Sequence, residues 1–224
     1  MPMKTLLEVC TGSLASVEAA AEGGAERIEL CAALPLDGLT PSLGTIRLVR
    51  QRWPQLRIHV LVRPREGDFV YSQAELRAMA LDIEAAKPYA DGFVSGALTP
   101  EGDIDMMATE VLVRQSGDKP FTFHRAFDHC RQPLVALEQL IRLGCSRILT
   151  SGQQPSALAG IDLLRRLNDV SSGRIIIMPG GGVNAENARL ILDQTGCSEI
   201  HGSCSGGSGV TSADEVRAVR AIIG

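Results

Sequence analysis

Two short apolar runs, LLEVC (Leu6 to Cys10) and RIELC (Arg27 to Cys31), each carry a glutamate and a cysteine two residues apart. Side chains along a strand alternate faces with period two. Glu8 and Cys10 therefore share one face of the first run, and Glu29 and Cys31 share one face of the second. Carboxylates gathered inside a fold must be paired, hydrogen-bonded or protonated, because an isolated buried charge is very costly. Such crowding pushes pKa values apart and equips the groups for general acid and base work. Two thiolates on neighbouring strands offer another chemistry, a pair of soft donors for an ion such as Cu(I). The same thiols also suit plain packing, since free cysteine is among the most buried residue types.

TFHRAFD (Thr122 to Asp128) is the densest polar cluster. His124 shares a strand face with Thr122 and Arg125 shares the other with Phe123, so a kink at the strand end is needed to bring both to one side. A histidine here serves as base, acid, metal ligand or hydrogen-bonded core residue; His129 is expected to face solvent. MPGGGV (Met178 to Val183) sets Gly180, Gly181 and Gly182 ahead of a helix whose predicted N-cap is Asn184. Glycines let backbone N–H groups approach an anion, and a helix N-terminus favours negative charge. A tight turn that needs positive φ calls for the same residues.

These residues fall at the ends of segments that read as strands, each followed by a helix. The strands are TLLEVC, RIELC, LRIHVLVRPR, DGFVSGAL, PFTFHRAF, SRILTSG, GRIIIMPGGGV and SEIHGSC. Helix signals are clear: glycines close the first helix, Ser72 and Glu75 form a capping box, and Pro133 sits in a first turn. Eight such units predict an α/β fold, a TIM (β/α)8 barrel forming a single domain over residues 1–224. A doubly wound sheet fits less well, because no G-x-G-x-x-G opens the first helix, and no nucleotide or flavin cofactor is predicted. The Gly/Ser-rich CSGGSGVTS, residues 204–212, is expected as a short loop after the last strand, natural or engineered.

Barrel active sites form at the C-terminal ends of the strands. That end collects Glu8 and Cys10, Glu29 and Cys31, His59 and Arg63 with Arg65 and Asp68 beyond them, His124, Arg125 and Asp128, Thr150 and Ser151, and His201 and Ser203. Arg63, His124 and His201 are the expected neighbours of the carboxylates.

Composition narrows the field. With 22 Lys and Arg against 26 Asp and Glu, the formal net charge is −4, and no basic cluster stands out. That balance argues against a broad attraction to nucleic acid or an anionic membrane. The apolar runs are too short for a signal peptide or a membrane span, so a cytoplasmic location is expected. Six cysteines, at 10, 31, 130, 145, 197 and 204, show neither C-x-x-C nor zinc-finger spacing. They read as free thiols, and any metal site must be assembled from distant segments.

LEVC, AERIELCAAL, GLTPSLG, VRPREGDFVYS, DGFVSGALTPEGDID, TFHRAFD, RILTSG, IIMPGGGV and EIHGS, in this order from about Leu7 to Ser203, resemble the signature blocks of the CutC family. The resemblance implies a cytoplasmic TIM barrel linked to copper homeostasis, with Cu(I) held by cysteines that would fall on Cys10 and Cys31. It implies a mouth lined by Glu, Arg and His with no firmly attached reaction. Members generally carry a longer segment after the last strand, and CSGGSGVTS stands in its place. A homodimer stays open as an option.

Three functions are therefore carried forward. The first is copper homeostasis by Cu(I) binding at Cys10 and Cys31. The alternative is an isomerase or lyase acting on a small anionic or sugar-like substrate, with the catalytic set Glu8, Glu29, Arg63, His124, Asp128 and His201 and an anion cradle at Gly180, Gly181 and Gly182. No lysine lies in any strand, which argues against a Schiff base. The third is a purely structural role, since fold does not dictate function.

Overall fold

Eight parallel strands alternate with eight α-helices in a computed structural model that describes residues 5–224. The strands are β1 (Leu6–Thr11), β2 (Arg27–Leu30), β3 (Arg57–Leu61), β4 (Gly92–Ser95), β5 (Phe121–Phe123), β6 (Arg147–Thr150), β7 (Ile176–Pro179) and β8 (Glu199–Gly202). The helices are α1 (Leu14–Glu22), α2 (Leu43–Arg52), α3 (Gln73–Ala86), α4 (Met106–Ser116), α5 (Pro133–Arg142), α6 (Ile161–Ser171), α7 (Ala188–Thr195) and α8 (Ala213–Ile223). From α1 to α6 each helix returns the chain so that the next strand pairs beside the last, and β8 pairs with β1. β7 and β8 lie side by side but share no strand ladder, so the (β/α)8 barrel is nearly closed.

Period two divides the strand residues between two layers. Leu7, Val9, Ile28, Leu30, Ile58, Val60 and Ile200 point outward and are buried with Val17, Ile46, Val49, Met79 and Ile83 of the helices. Full burial of each aliphatic side chain contributes about 1.5–3 kcal/mol, and this outer shell holds most of the apolar residues. Inside the barrel the apolar cluster is small: Cys10, Cys31, Leu61 and Val94, with Leu34 against it. The interior is thus left to polar groups. The register sets Glu8 opposite both Arg27 and His201, Cys10 opposite Glu29, and Glu29 opposite His59.

Local chemistry sets the loops between these layers. Ser13, Ser42, Ser72 and Asp105 each accept a backbone N–H in the first turn of α1, α2, α3 and α4, and Glu75 completes the Ser72 capping box. Each cap is worth about 1 kcal/mol. The predicted N-cap Asn184 is corrected: α7 begins at Ala188, and the Asn184 side chain accepts from the N–H groups of Glu186 and Asn187. Asparagine satisfies a local turn here instead of a helix end. β5 stops at Phe123, and Arg125–His129 wind into a 3-10 turn capped by His124 Nδ1, which accepts from Ala126 N at 3.2 Å. That is the kink the cluster required.

Between β8 and α8 the Gly/Ser-rich loop is tied down at its end. Thr211 Oγ1 donates to Ser203 O at 3.1 Å and to Cys10 O at 3.4 Å. Among the described residues, no helix is long and apolar enough to cross a membrane.

Candidate functional site at the barrel mouth

The inward faces of β1, β2, β6 and β8 build a charged floor. Arg27, 1% exposed, donates through Nε to Glu8 Oε2 at 2.5 Å and through a terminal nitrogen to Glu199. Arg147 holds Glu199 from the other side, at 2.7 and 3.1 Å. Burial pushes the Glu8 carboxyl up, but Arg27, then His201 and His59, outweigh it and hold Glu8 well below the usual carboxylate range. His59 lies at 3.5 Å from Glu8, and burial together with Arg27 and Arg147 lowers its pKa to about 4. Its ring needs space inside the barrel: a Cβ at Gly92 would fall 2.6 Å from it.

Arg27, Glu199 and Arg147 were not among the expected site residues, although period two puts Arg27 on the face of Glu29 and Glu199 on the face of His201. Arg63, expected beside the carboxylates, makes no ion pair with them. It lies beyond the end of β3, where its terminal nitrogens donate to the carbonyls of Leu36, Gly38 and Gly67 at 2.8–3.1 Å. The loop after β2 encloses it before it can reach the floor.

Above the floor stand Cys10, Glu29, Cys31 and His201. His201 Nδ1 meets Glu8 Oε1 at 3.0 Å, and Nε2 faces Glu29 Oε2 at 3.7 Å. The Cys10 and Cys31 sulfurs are 3.7 Å apart, and Cys31 also donates to Thr11 O at 3.4 Å. One ligand atom from each of Cys10, Glu29 and His201 lies within 4.8 Å of the other two. Burial pushes the His201 pKa down, but Cys10, Glu8 and Glu29 reverse this and carry it well above the ordinary value. Burial and the neighbouring Glu8 raise the Glu29 carboxyl against the pull of His201. The Cys31 contact, burial and the Glu29 charge drive the Cys10 thiol well up.

The donor set suits a soft ion. With metal–sulfur bonds of about 2.3 Å, sulfurs 3.7 Å apart subtend roughly 110° at a shared ion. A ring nitrogen of His201 lies within 4.8 Å of the Cys10 sulfur and offers a further donor on that side of the pair. The Glu8 contact at Nδ1 is the kind of outer contact that orients a ligating imidazole.

This group forms one end of an open cavity of about 500 Å³. Arg63, Phe69, His124, Arg125, Gly181 and Gly182 line its wall. His124 is buried, and a Cβ at Gly96 would fall 2.7 Å from its Nδ1, so glycine there makes its room. Burial and then Arg63 lower the His124 pKa to about 3, leaving a neutral ring. Arg125 reaches Asp128 at 2.9 Å and Ser151 Oγ at 3.2 Å.

Asp128 is not among the residues lining the cavity. Its carboxylate accepts from Thr150 Oγ1, from Ser151 N and Oγ at 3.0 Å, and from Gln153 N at 3.2 Å. It braces the ends of β5 and β6. Gly180 also stands apart from its two neighbours: its N–H donates to Thr150 O, and a Cβ would meet Leu149 at 2.5 Å. Gly181 and Gly182 have φ of 102° and 72° and face the cavity. His129 is exposed at the rim.

The chain as a whole has relatives among known proteins. The CutC family profile matches residues 5–206. A CutC family protein of Bacteroides thetaiotaomicron is 51% identical over 199 residues, covering 88% of this chain and 80% of the relative. The human copper homeostasis protein cutC homolog is 47% identical over 197 residues, covering 88% and 72%. A crystal structure of a candidate copper homeostasis protein CutC from Streptococcus agalactiae superposes with a TM-score of 0.85 at 35% identity, covering 89% of this chain and 98% of that one. An aldolase, QR15, at 14% identity and a TM-score of 0.70 over 96% of each chain, shares the fold alone.

Proposed function

The chain belongs to the CutC family, and from that premise we propose that it binds Cu(I) through Cys10, Cys31 and His201 at the base of the barrel mouth. The carrying observation is the convergence of donors: two sulfurs 3.7 Å apart, with Cys10, Glu29 and His201 ligand atoms within 4.8 Å of one another. Thiolates select soft ions, and imidazole suits copper as well. A relative of the same family carries copper homeostasis in its name.

The chain's own groups prepare the site for this cargo. Glu8 takes His201 Nδ1 and leaves Nε2 directed to the cavity. The raised Cys10 thiol and the raised His201 imidazole must each lose a proton on binding, so uptake releases acid and strengthens as pH rises. The reading also requires reduced thiols and so carries a cytoplasmic location with it. An anaerobic competition titration against a Cu(I) chelator tests it. Cys10→Ser, Cys31→Ser and His201→Ala should each weaken binding at least tenfold; an unchanged affinity in both cysteine variants would sink the reading.

One observation favours a second reading. A cavity of about 500 Å³ is far larger than an ion needs and lies within the range of small-molecule sites. Glu29, with its raised carboxyl, and His201 share its base and could exchange a proton with a bound substrate. This is the isomerase or lyase type of chemistry on a small anionic or sugar-like molecule. Solvent deuterium incorporation into such a molecule, abolished in Glu29→Gln, tests it.

A further inference from the structure

Arg63 is 4% exposed and has no carboxylate partner among the described residues. Backbone carbonyls occupy its terminal nitrogens, and Nε is buried with no acceptor. A buried guanidinium without a counter-charge is a costly arrangement. On the same wall, His124 Nε2 is also buried and without a partner. Ala126 N donates to His124 Nδ1, which puts the ring proton on Nε2 and makes that atom a neutral donor. The Phe69 ring joins the two, 5.1 Å from the Arg63 guanidinium carbon and 5.0 Å from the His124 ring centre.

A second group of donors lines the same cavity. The Gly181 and Gly182 N–H groups have no acceptor among the described residues. The Arg125 guanidinium carbon lies 3.6 Å from where a Gly181 Cβ would sit, an ordinary contact distance that sets the cation beside the loop. Acceptors around the cavity are fewer: Glu29 is engaged with His201 at the base, and Asp37 is exposed at the rim. The wall is therefore a surface of donors, and its complement is an oxyanion.

We propose that this wall binds a small organic phosphate, the phosphoryl group on Arg125 and the Gly181 and Gly182 N–H groups, and a carboxylate or carbonyl oxygen of the same molecule on Arg63 and His124. The loop after β7 is where barrels commonly hold phosphate, and the second donor pair gives the ligand its other end. A neutral imidazole donor favours an oxygen bearing partial charge, as a polarised carbonyl does. The inference deepens the acid–base reading by naming the ligand class, and it requires no turnover and no metal.

The test titrates metal-free protein with 2-phosphoglycolate and, separately, with inorganic phosphate, reading backbone amide shifts by NMR and affinity by calorimetry. Saturable shifts centred on Gly181 and Gly182 are expected, with phosphoglycolate at least tenfold tighter than inorganic phosphate. Arg125→Gln, on a partly exposed side chain, should weaken phosphoglycolate at least tenfold. Arg63→Lys, which keeps the charge where a larger change risks the fold, should narrow the gap between the two ligands. Absence of saturable shifts at millimolar ligand overturns the proposal, as does equal affinity for the two ligands. Phosphoglycolate binding in a protein that incorporates no solvent deuterium into small anionic substrates removes the enzyme reading and leaves this one in place.

Discussion

His201 Nδ1 lies 3.0 Å from Glu8 Oε1, and that contact decides which imidazole nitrogen the cavity receives. Glu8 is itself fixed by Arg27, at 2.5 Å, in a layer where water does not reach. The arrangement runs from a guanidinium through a carboxylate to an imidazole and ends beside a thiol. Each member restricts the next, so the group at the cavity is oriented by residues that never touch a ligand.

Glu8→Gln keeps the shape and removes the charge. Arg27 then loses one of its two carboxylates, and His201 the nearer of its two, leaving Glu29 at 3.7 Å. Breaking a buried pair from one side costs about 3–5 kcal/mol, and disturbing an outer contact costs about 10–100-fold in metal affinity. Urea unfolding and the Cu(I) competition should show both losses. A stability change below about 1 kcal/mol would contradict the network.

Acid should destabilise the protein through His59 and His124. Their folded pKa values are about 4 and about 3, against an ordinary 6.5. Below pH 6.5 the unfolded chain takes up protons that the folded chain refuses, so stability falls as pH drops from there toward 4. Each histidine contributes a slope of about 1 kcal/mol per pH unit, and the raised Glu29 carboxyl offsets part of it. His201 works in the opposite sense: its contribution is complete below pH 6.5 and is lost as pH rises through its raised value. Urea midpoints at pH 7 and pH 5 check the sign. His124→Gln should flatten the slope by about one proton, and an identical slope in that variant would refute the assignment.

Gly92→Ala should cost about 1–3 kcal/mol, the usual penalty for overpacking, because the new Cβ would sit 2.6 Å from the His59 ring. In a His59→Ala background that penalty should largely vanish. The double-mutant cycle reads the clash directly, and a cost that persists without the ring would place the strain elsewhere.

The loop after β8 should tolerate length but not loss of its anchor. Four residues inserted between Gly207 and Ser208 should change stability by no more than about 0.6 kcal/mol. Thr211→Val should cost about 1 kcal/mol, since Thr211 Oγ1 donates to both Ser203 O and Cys10 O. Thermal melts of the two variants separate them; equal losses would count against the anchor.

Much of this was legible from spacing alone. Alternation in LLEVC and RIELC gives the inward placement of Glu8, Cys10, Glu29 and Cys31, because a strand allows only two faces. Eight strand–helix units give the barrel. The counter-charges were harder to see. Arg27 and Glu199 open their strands, where a polar residue reads as a loop boundary, yet the same alternation points both inward. Arg63 was misplaced beside the carboxylates because a strand pattern does not say where hydrogen bonding ends; β3 stops at Leu61 and loop carbonyls capture the side chain. Asp128 lies on a 3-10 turn, outside any two-face rule.

The missing ladder between β7 and β8 gives the barrel a line of weakness. Every other strand has hydrogen-bonded neighbours on both sides, so amide exchange should begin along this seam, where among the described residues β8 pairs with β1 alone. Gly180 and His201 face each other across it, a Gly180 Cβ falling 3.3 Å from His201. Breathing of the sheet is thereby concentrated next to the imidazole that a ligand would meet, and hydrogen exchange at the seam should slow when the mouth is filled.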